Sequence, residues 1–233
     1  PSPFSRFDEL CADLAPYPVP LAIRYFGSAG KEYMERHGVT PHLFAKVRAK
    51  ASRHAAHNPT ALLRQVVSED EVMASPLIFP EAGMTRLMAC PPTCGAAAAI
   101  LVSPRFAEKM NLDRRVCIAA QAMTTDRPGT FDKRSMIALV GADMSREAAD
   151  LVYEQAGIGP GDVDVVELHD CFAQNEVLTY EALRLCPEGG AEKFVADGDN
   201  TYDGRVVTNP SGGLLCKGHP LGATGLAQCA ELV

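Results

Sequence analysis

The chain has 233 residues, 47% apolar, 22% charged and 6% aromatic, a balance that suits one packed domain, or one and a half, and excludes a disordered or fibrous chain. Its formal charge of −7 opposes a phosphate backbone, so no nucleic-acid partner is expected. The longest unbroken apolar run, Ala96 to Val102, is far short of the roughly 20 residues of a membrane span; with no basic-then-apolar leader, neither an integral membrane segment nor secretion is expected.

In chain order, Pro16, Pro18 and Pro20 mark an extended entry, after which Leu21 to His37 reads as a helix interrupted by Gly27 and Gly30 and ended by Gly38. Pro41 opens a second helix to about His57, stopped by Asn58-Pro59. Ser68 with Glu71 is a capping-box pattern for a short third helix. The first 75 or so residues therefore read as helical and strand-free. From Ala96 the pattern becomes α/β: apolar strands at Ala96–Val102, Val116–Met123 and Val163–Leu168, a helix after Ser103-Pro104, and another capped by Ser145 and ended at Gly157. A helix from Phe172 to about Leu185, a strand at Arg205–Thr208, a glycine-rich stretch from Asn209 to Gly225 and a last helix complete the reading. The chain opens on Pro1 and ends on Val233 within an apolar helical pattern without a stop signal, so it is read as an excerpt.

Charge is uneven. Between Arg24 and Arg64 stand eight basic residues (Arg24, Lys31, Arg36, Lys46, Arg48, Lys50, Arg53 and Arg64) against Glu32 and Glu35, a local +6 that leaves −13 elsewhere and suits a small polyanion. The eight cysteines are irregularly spaced and read as reduced intracellular thiols.

Two turns carry residues suited to chemistry. Val163 to Leu168 hands over to His169-Asp170-Cys171-Phe172 and a helix, and such a turn lies at the carboxyl edge of a sheet, where open α/β folds place ligands. A helix N-terminus there lowers a thiol's pKa, which makes Cys171 a candidate reactive thiol or proton carrier; the alternative is a small buried hydrophobe. The second turn holds Asn209-Pro-Ser-Gly-Gly213 and Gly218-His219-Pro220. Its glycines let main-chain donors approach a ligand, and His219 fits a positioned base, unless the stretch is a purely structural turn. Cys90 and Cys94 lack the second close pair that a zinc site needs, and no metal is expected. His37, His42, His54 and His57 read as solvated face residues. The glycine spacing matches neither a phosphate loop nor a dinucleotide fingerprint, and no Gly-x-Ser-x-Gly elbow is present.

With these segments in hand, the chain resembles the thiolase superfamily, and within it the sterol-carrier-protein (SCP-x) type. The resemblance rests on Gly30-Lys-Glu with Met34-Glu35, Asp70 to Ser75, Gly95 to Ile100, Glu167-Leu-His-Asp-Cys-Phe172, Asn175-Glu176, Leu178 to Leu183, Cys186 to Gly189, Gly198 to Tyr202, and Asn209 through Glu231. Ordinary thiolases usually carry Asn-Glu-Ala-Phe where this chain has His-Asp-Cys-Phe. The resemblance implies a partial, layered α-β-α thiolase-like fold, with residues 1–88 as a basic, helical, coenzyme A-binding loop domain and 89–233 as an incomplete C-terminal α/β domain. It implies acyl-CoA C-acyltransferase chemistry, cleaving 3-oxoacyl-CoA or running the reverse Claisen condensation, with coenzyme A as substrate and no resident cofactor. His219 would activate the nucleophile, His169 would stabilise the thioester oxygen, Cys171 would move the proton at the substrate's alpha carbon, and Asn209, Gly212, Gly213 and Gly218 would line the substrate. None of the eight cysteines has the family's Cys-Ser-(Ser/Thr)-Gly context, so the acyl-accepting thiol is expected outside this stretch. Cys94 also replaces an aspartate common in relatives. A homodimer of the full-length protein is expected, in the cytoplasm, or in peroxisomes if the source is eukaryotic. The alternatives are a non-catalytic thiolase-like subunit that binds coenzyme A or lipid, and a ketoacyl-synthase-like condensing enzyme.

Overall fold

The computed structural model describes residues 5–113 and 116–233. Four helices open it: α1 (Ser5–Leu14), α2 (Leu21–His37), α3 (His42–Ala55) and α4 (Glu69–Ala74). Each boundary has a local cause. Gly38 closes α2 in the left-handed region at φ 70°, where a side chain would be strained, and Ser68 and Glu71 form the reciprocal capping box of α4. The expected break in α2 does not occur. A Cβ on Gly27 would stand 2.7 Å from the Phe79 ring, and one on Gly30 would strike the Gln174 side chain, so these glycines let neighbours approach a continuous helix.

Helix α3 lies inside the molecule, which overturns part of the basic-face reading. Arg48 and Lys50 are only 2% and 1% exposed. Burying an ammonium is costly without partners, and Lys50 is supplied with Glu176, the Thr208 carbonyl at 3.0 Å and the Thr208 hydroxyl at 3.0 Å. Lys31 and Arg36 are engaged by Glu35 and Glu32 one helical turn away. Of the eight basic residues, Arg36, Lys46, Arg53 and Arg64 are exposed. His54 is also buried rather than solvated, its Nδ1 lying 3.1 Å from the Asn209 carbonyl oxygen.

Strands are few and short. β1 (Leu77–Phe79) pairs antiparallel with β2 (Met84–Thr85). Then come α5 (Pro104–Lys109), α6 (Pro128–Asp132), α7 (Met136–Leu139) and α8 (Ala142–Ala156), followed by β3 (Val165–Val166), α9 (Ala173–Ala182), α10 (Ala191–Ala196), β4 (Val207–Thr208), α11 (Gly213–Lys217) and α12 (Thr224–Glu231). β3 and β4 run parallel. The strands expected at Ala96–Val102 and Val116–Met123 are not formed: a strand exists through its ladder, and no described segment hydrogen-bonds alongside either run. Their side chains stand in solvent, with Ile100 92% and Met123 96% exposed. Helix α8 is capped at Gly141 rather than at Ser145, whose N–H already bonds back to the Gly141 carbonyl at 2.8 Å. One contiguous core runs from Leu10 through α2, α3 and α9 to Cys216, and no helix among the described residues is long and apolar enough to cross a membrane.

Candidate active site

The parallel pair places both candidate turns at one edge. Val165 faces Val207 and Val166 faces Thr208, so the chain leaves β3 toward His169 and leaves β4 toward Asn209 in the same direction. Asn209, at φ 51°, locks the two exits: its N–H donates to the Val166 carbonyl at 2.7 Å and its side-chain oxygen accepts from the Leu168 N–H at 2.9 Å. Glu167 adds a second tie, accepting from the Ser211 N–H and hydroxyl at 2.9 and 2.8 Å and pairing with Lys217 at 3.0 Å.

At this edge the two histidines meet. His169 Nε2 lies 3.2 Å from His219 Nε2, with the rings edge to face. Thr93 accepts the His219 N–H at 2.6 Å, and Gly218, at φ 103°, fits because a Cβ there would stand 2.6 Å from the Thr93 methyl. Gln228 on α12 donates to the Leu168 carbonyl at 2.6 Å, and Phe26 of α2 stacks on Phe172 with centroids 5.2 Å apart. Desolvation, with a smaller contribution from His219, pushes the His169 pKa down to about 4; desolvation also lowers that of His219. Both imidazoles are neutral at pH 7.

Cys171 behaves differently from the sequence expectation. Its thiol is buried, and desolvation first, then Cys90 and Asp170, pushes its pKa well above the usual thiol value, outweighing the backbone N–H groups at the start of α9. It is a protonated thiol, not a thiolate. The direct contact in the structure is between the two histidines, while Cys171 lies beside Cys90 and Asp170. Asp170 is fully buried, accepting from the Leu214 and Leu215 N–H groups at 2.8 and 3.4 Å; burial and then Glu176 raise its pKa to about 8.

The four residues expected to line substrate are all buried. Their immediate neighbours are protein: Gly212 abuts Ala55, Gly213 abuts Asp170, Gly218 abuts Thr93, and Asn209 bonds Leu168 and Glu176. Thr93, Asn175, Thr224 and Phe26 were not singled out as site residues from sequence. Asn175 does lie in the Asn175-Glu176 match just past His-Asp-Cys-Phe, and Thr224 in the glycine-rich stretch from Asn209 to Gly225. Among the described residues no group of three or more His, Cys, Asp or Glu could hold a metal ion.

Residues 130–233 match the family model described as Thiolase C-terminal domain-like, and a Bos taurus protein named Sterol carrier protein 2 is 55% identical over 216 residues, 92% of this chain and 39% of the relative. The chain is similar over most of its length to proteins of the thiolase superfamily. The Benzoylsuccinyl-CoA thiolase subunit BbsB of Thauera aromatica is 36% identical over 208 residues, 89% of this chain and 52% of that one. Two solved structures share the thiolase-like fold. One, the Ltp2-ChsH2(DUF35) aldolase, has a TM-score of 0.77 at 23% identity over 97% of this chain and 59% of that chain. The other, human mitochondrial 3-ketoacyl-CoA thiolase, has a TM-score of 0.61 at 17% identity over 97% and 55%. The chain thus spans 39% of the bovine relative's length.

Proposed function

We propose that the chain supplies the acid-base and oxygen-stabilising half of an acyl-CoA C-acyltransferase that cleaves 3-oxoacyl-CoA or forms it by Claisen condensation. The observation that carries this reading is the contact of two neutral imidazoles, 3.2 Å apart, on adjacent turns at one sheet edge. A neutral imidazole both accepts a proton and offers an N–H, the two capacities that acyl transfer through a thiol requires. In this reading His219 takes the proton of the acyl-accepting thiol: the S–H bond breaks, an Nε2–H bond forms, and the electron pair stays on sulfur to attack the thioester. His169 stabilises the oxygen on which charge develops. Cys171, protonated in its buried setting, fits delivery of a proton to the substrate's alpha carbon and does not fit the nucleophile. That nucleophile is proposed to lie outside these 233 residues, because no cysteine here has the family's context.

The test is made on the protein carrying this sequence, with acetoacetyl-CoA and coenzyme A. Acyl-enzyme formed on mixing is read by intact mass, and His219→Ala is expected to lower its rate by roughly a hundredfold or more. Unchanged acylation in that variant removes His219 from the mechanism. Binding of coenzyme A without any acyl-enzyme in the unmodified protein favours a non-catalytic binding subunit.

A further inference from the structure

Four hydrogen bonds surround the two imidazoles, and counting their protons determines which ring nitrogen carries hydrogen. His219 Nδ1 lies 2.7 Å from the Thr224 hydroxyl oxygen, which itself lies 3.0 Å from the Pro220 carbonyl oxygen. On the other ring, the Asn175 amide nitrogen lies 2.5 Å from the His169 carbonyl oxygen and 3.4 Å from His169 Nδ1. The carbonyl fixes the amide's orientation, since turning it would set oxygen against oxygen; the NH2 group therefore faces His169 Nδ1 as a donor.

With both rings neutral, one proton belongs in the 3.2 Å gap between the Nε2 atoms, and there are two ways to place it. If His219 carried it, His169 would be protonated on Nδ1, setting an N–H against the Asn175 NH2. The Thr224 hydroxyl would also have to turn its hydrogen to His219 Nδ1 and abandon the Pro220 carbonyl. If His169 carries it, every donor meets an acceptor: Asn175 donates to His169 Nδ1, His169 Nε2–H to His219 Nε2, His219 Nδ1–H to Thr224, and Thr224 to the Pro220 carbonyl. Polar groups left mispaired are costly, so the second arrangement prevails.

We infer that Thr224 and Asn175 are positioning residues that fix opposite tautomers on the paired histidines, leaving His219 Nε2 as an unprotonated acceptor and His169 Nε2 as an N–H donor. The low pKa of each ring keeps both neutral so that the pattern holds at pH 7. Its catalytic meaning rests on the acyltransferase reading: the lone pair is where a thiol proton is accepted, and the N–H is where a developing oxyanion is met. The same two ring types are thereby given different tasks by a hydroxyl and an amide that need not touch substrate.

The test reads tautomers directly, so its failure is distinct from failure of the acyltransferase reading. Long-range 1H–15N correlation spectra of the 15N-labelled protein at pH 7.5 are expected to show His219 as the Nδ1–H form and His169 as the Nε2–H form. Thr224→Val is expected to shift His219 toward the Nε2–H form, Thr224→Ser to restore the wild-type pattern, and Asn175→Ala to weaken the Nε2–H preference of His169 alone. In the acylation assay Thr224→Val should lower the rate by roughly tenfold, with apparent affinity for acyl-CoA unchanged and Thr224→Ser recovering the loss. A wild-type spectrum with His219 protonated on Nε2 overturns the inference. So does an unaltered His219 tautomer in a folded Thr224→Val; should that variant not fold, the wild-type and Thr224→Ser spectra decide the matter.

Discussion

The turns around β3 and β4 and the stretch from residue 95 to 127 invert one another. In the first, charged and polar groups are buried and matched: Lys50, Glu176, Tyr180, Thr208, Asn200 and Asn209 form a single network beneath the histidine pair. In the second, apolar side chains that the sequence pattern assigns to strands stand in water with no ladder. Polarity alone therefore does not decide what is buried in this chain; a charge is carried inward when enough partners surround it, and an apolar run stays outside when none of the described residues offers it a face.

The sharpest way to break this contrast is to remove one member of the buried pair. Lys50→Met should destabilise the protein by about 3–5 kcal/mol, since it strands the Glu176 carboxylate, while adding Glu176→Gln should recover part of the loss; urea unfolding midpoints of the two variants measure it. A recovery of zero would mean that the pair is not the unit of stability. Next in size is a pH effect at the network's edge. Burial, with Lys50 contributing, depresses the His54 pKa from 6.5 to about 4, so folding disfavours its charged form. The associated stability is present above about pH 6.5 and is lost as pH falls toward 4, a change of at most about 3 kcal/mol. His54→Gln should flatten that part of the stability–pH curve. Smallest of all, Ile100→Ser and Met123→Ser should each alter stability by less than about 0.5 kcal/mol, whereas a loss above 1 kcal/mol would show that this stretch is packed after all.

What could be read from the sequence was what is local. The end of α2 at Gly38 and the Ser68–Glu71 box depend on residues within one turn, and both histidines were legible from their neighbours: His169 between β3 and α9 beside Asp170, and His219 between α11 and α12, flanked by Gly218 and Pro220. What could not be read depends on distant partners. Nothing near Lys50 announces Glu176, 126 residues away, so a count of basic residues cast a buried cation as a surface one. For Cys171 the position at the start of α9 was visible but the desolvation that reverses its pKa was not. The apolar runs at 96–102 and 116–123 satisfied a strand pattern, yet a strand also needs a neighbour, and periodicity carries no record of one. Gly27 and Gly30 looked like helix breakers because the rings and side chains they admit, Phe79 and Gln174, arrive from elsewhere in the chain.

The histidine pair is held by a core that α2 and α3 share with α9 and α11, and the described residues of the 95–127 stretch contribute little to that core. Covalent continuity through this stretch is therefore not what keeps the two ends of the molecule in register. It is the place where a nick or an insertion in the backbone is expected to leave the histidine contact assembled by non-covalent means.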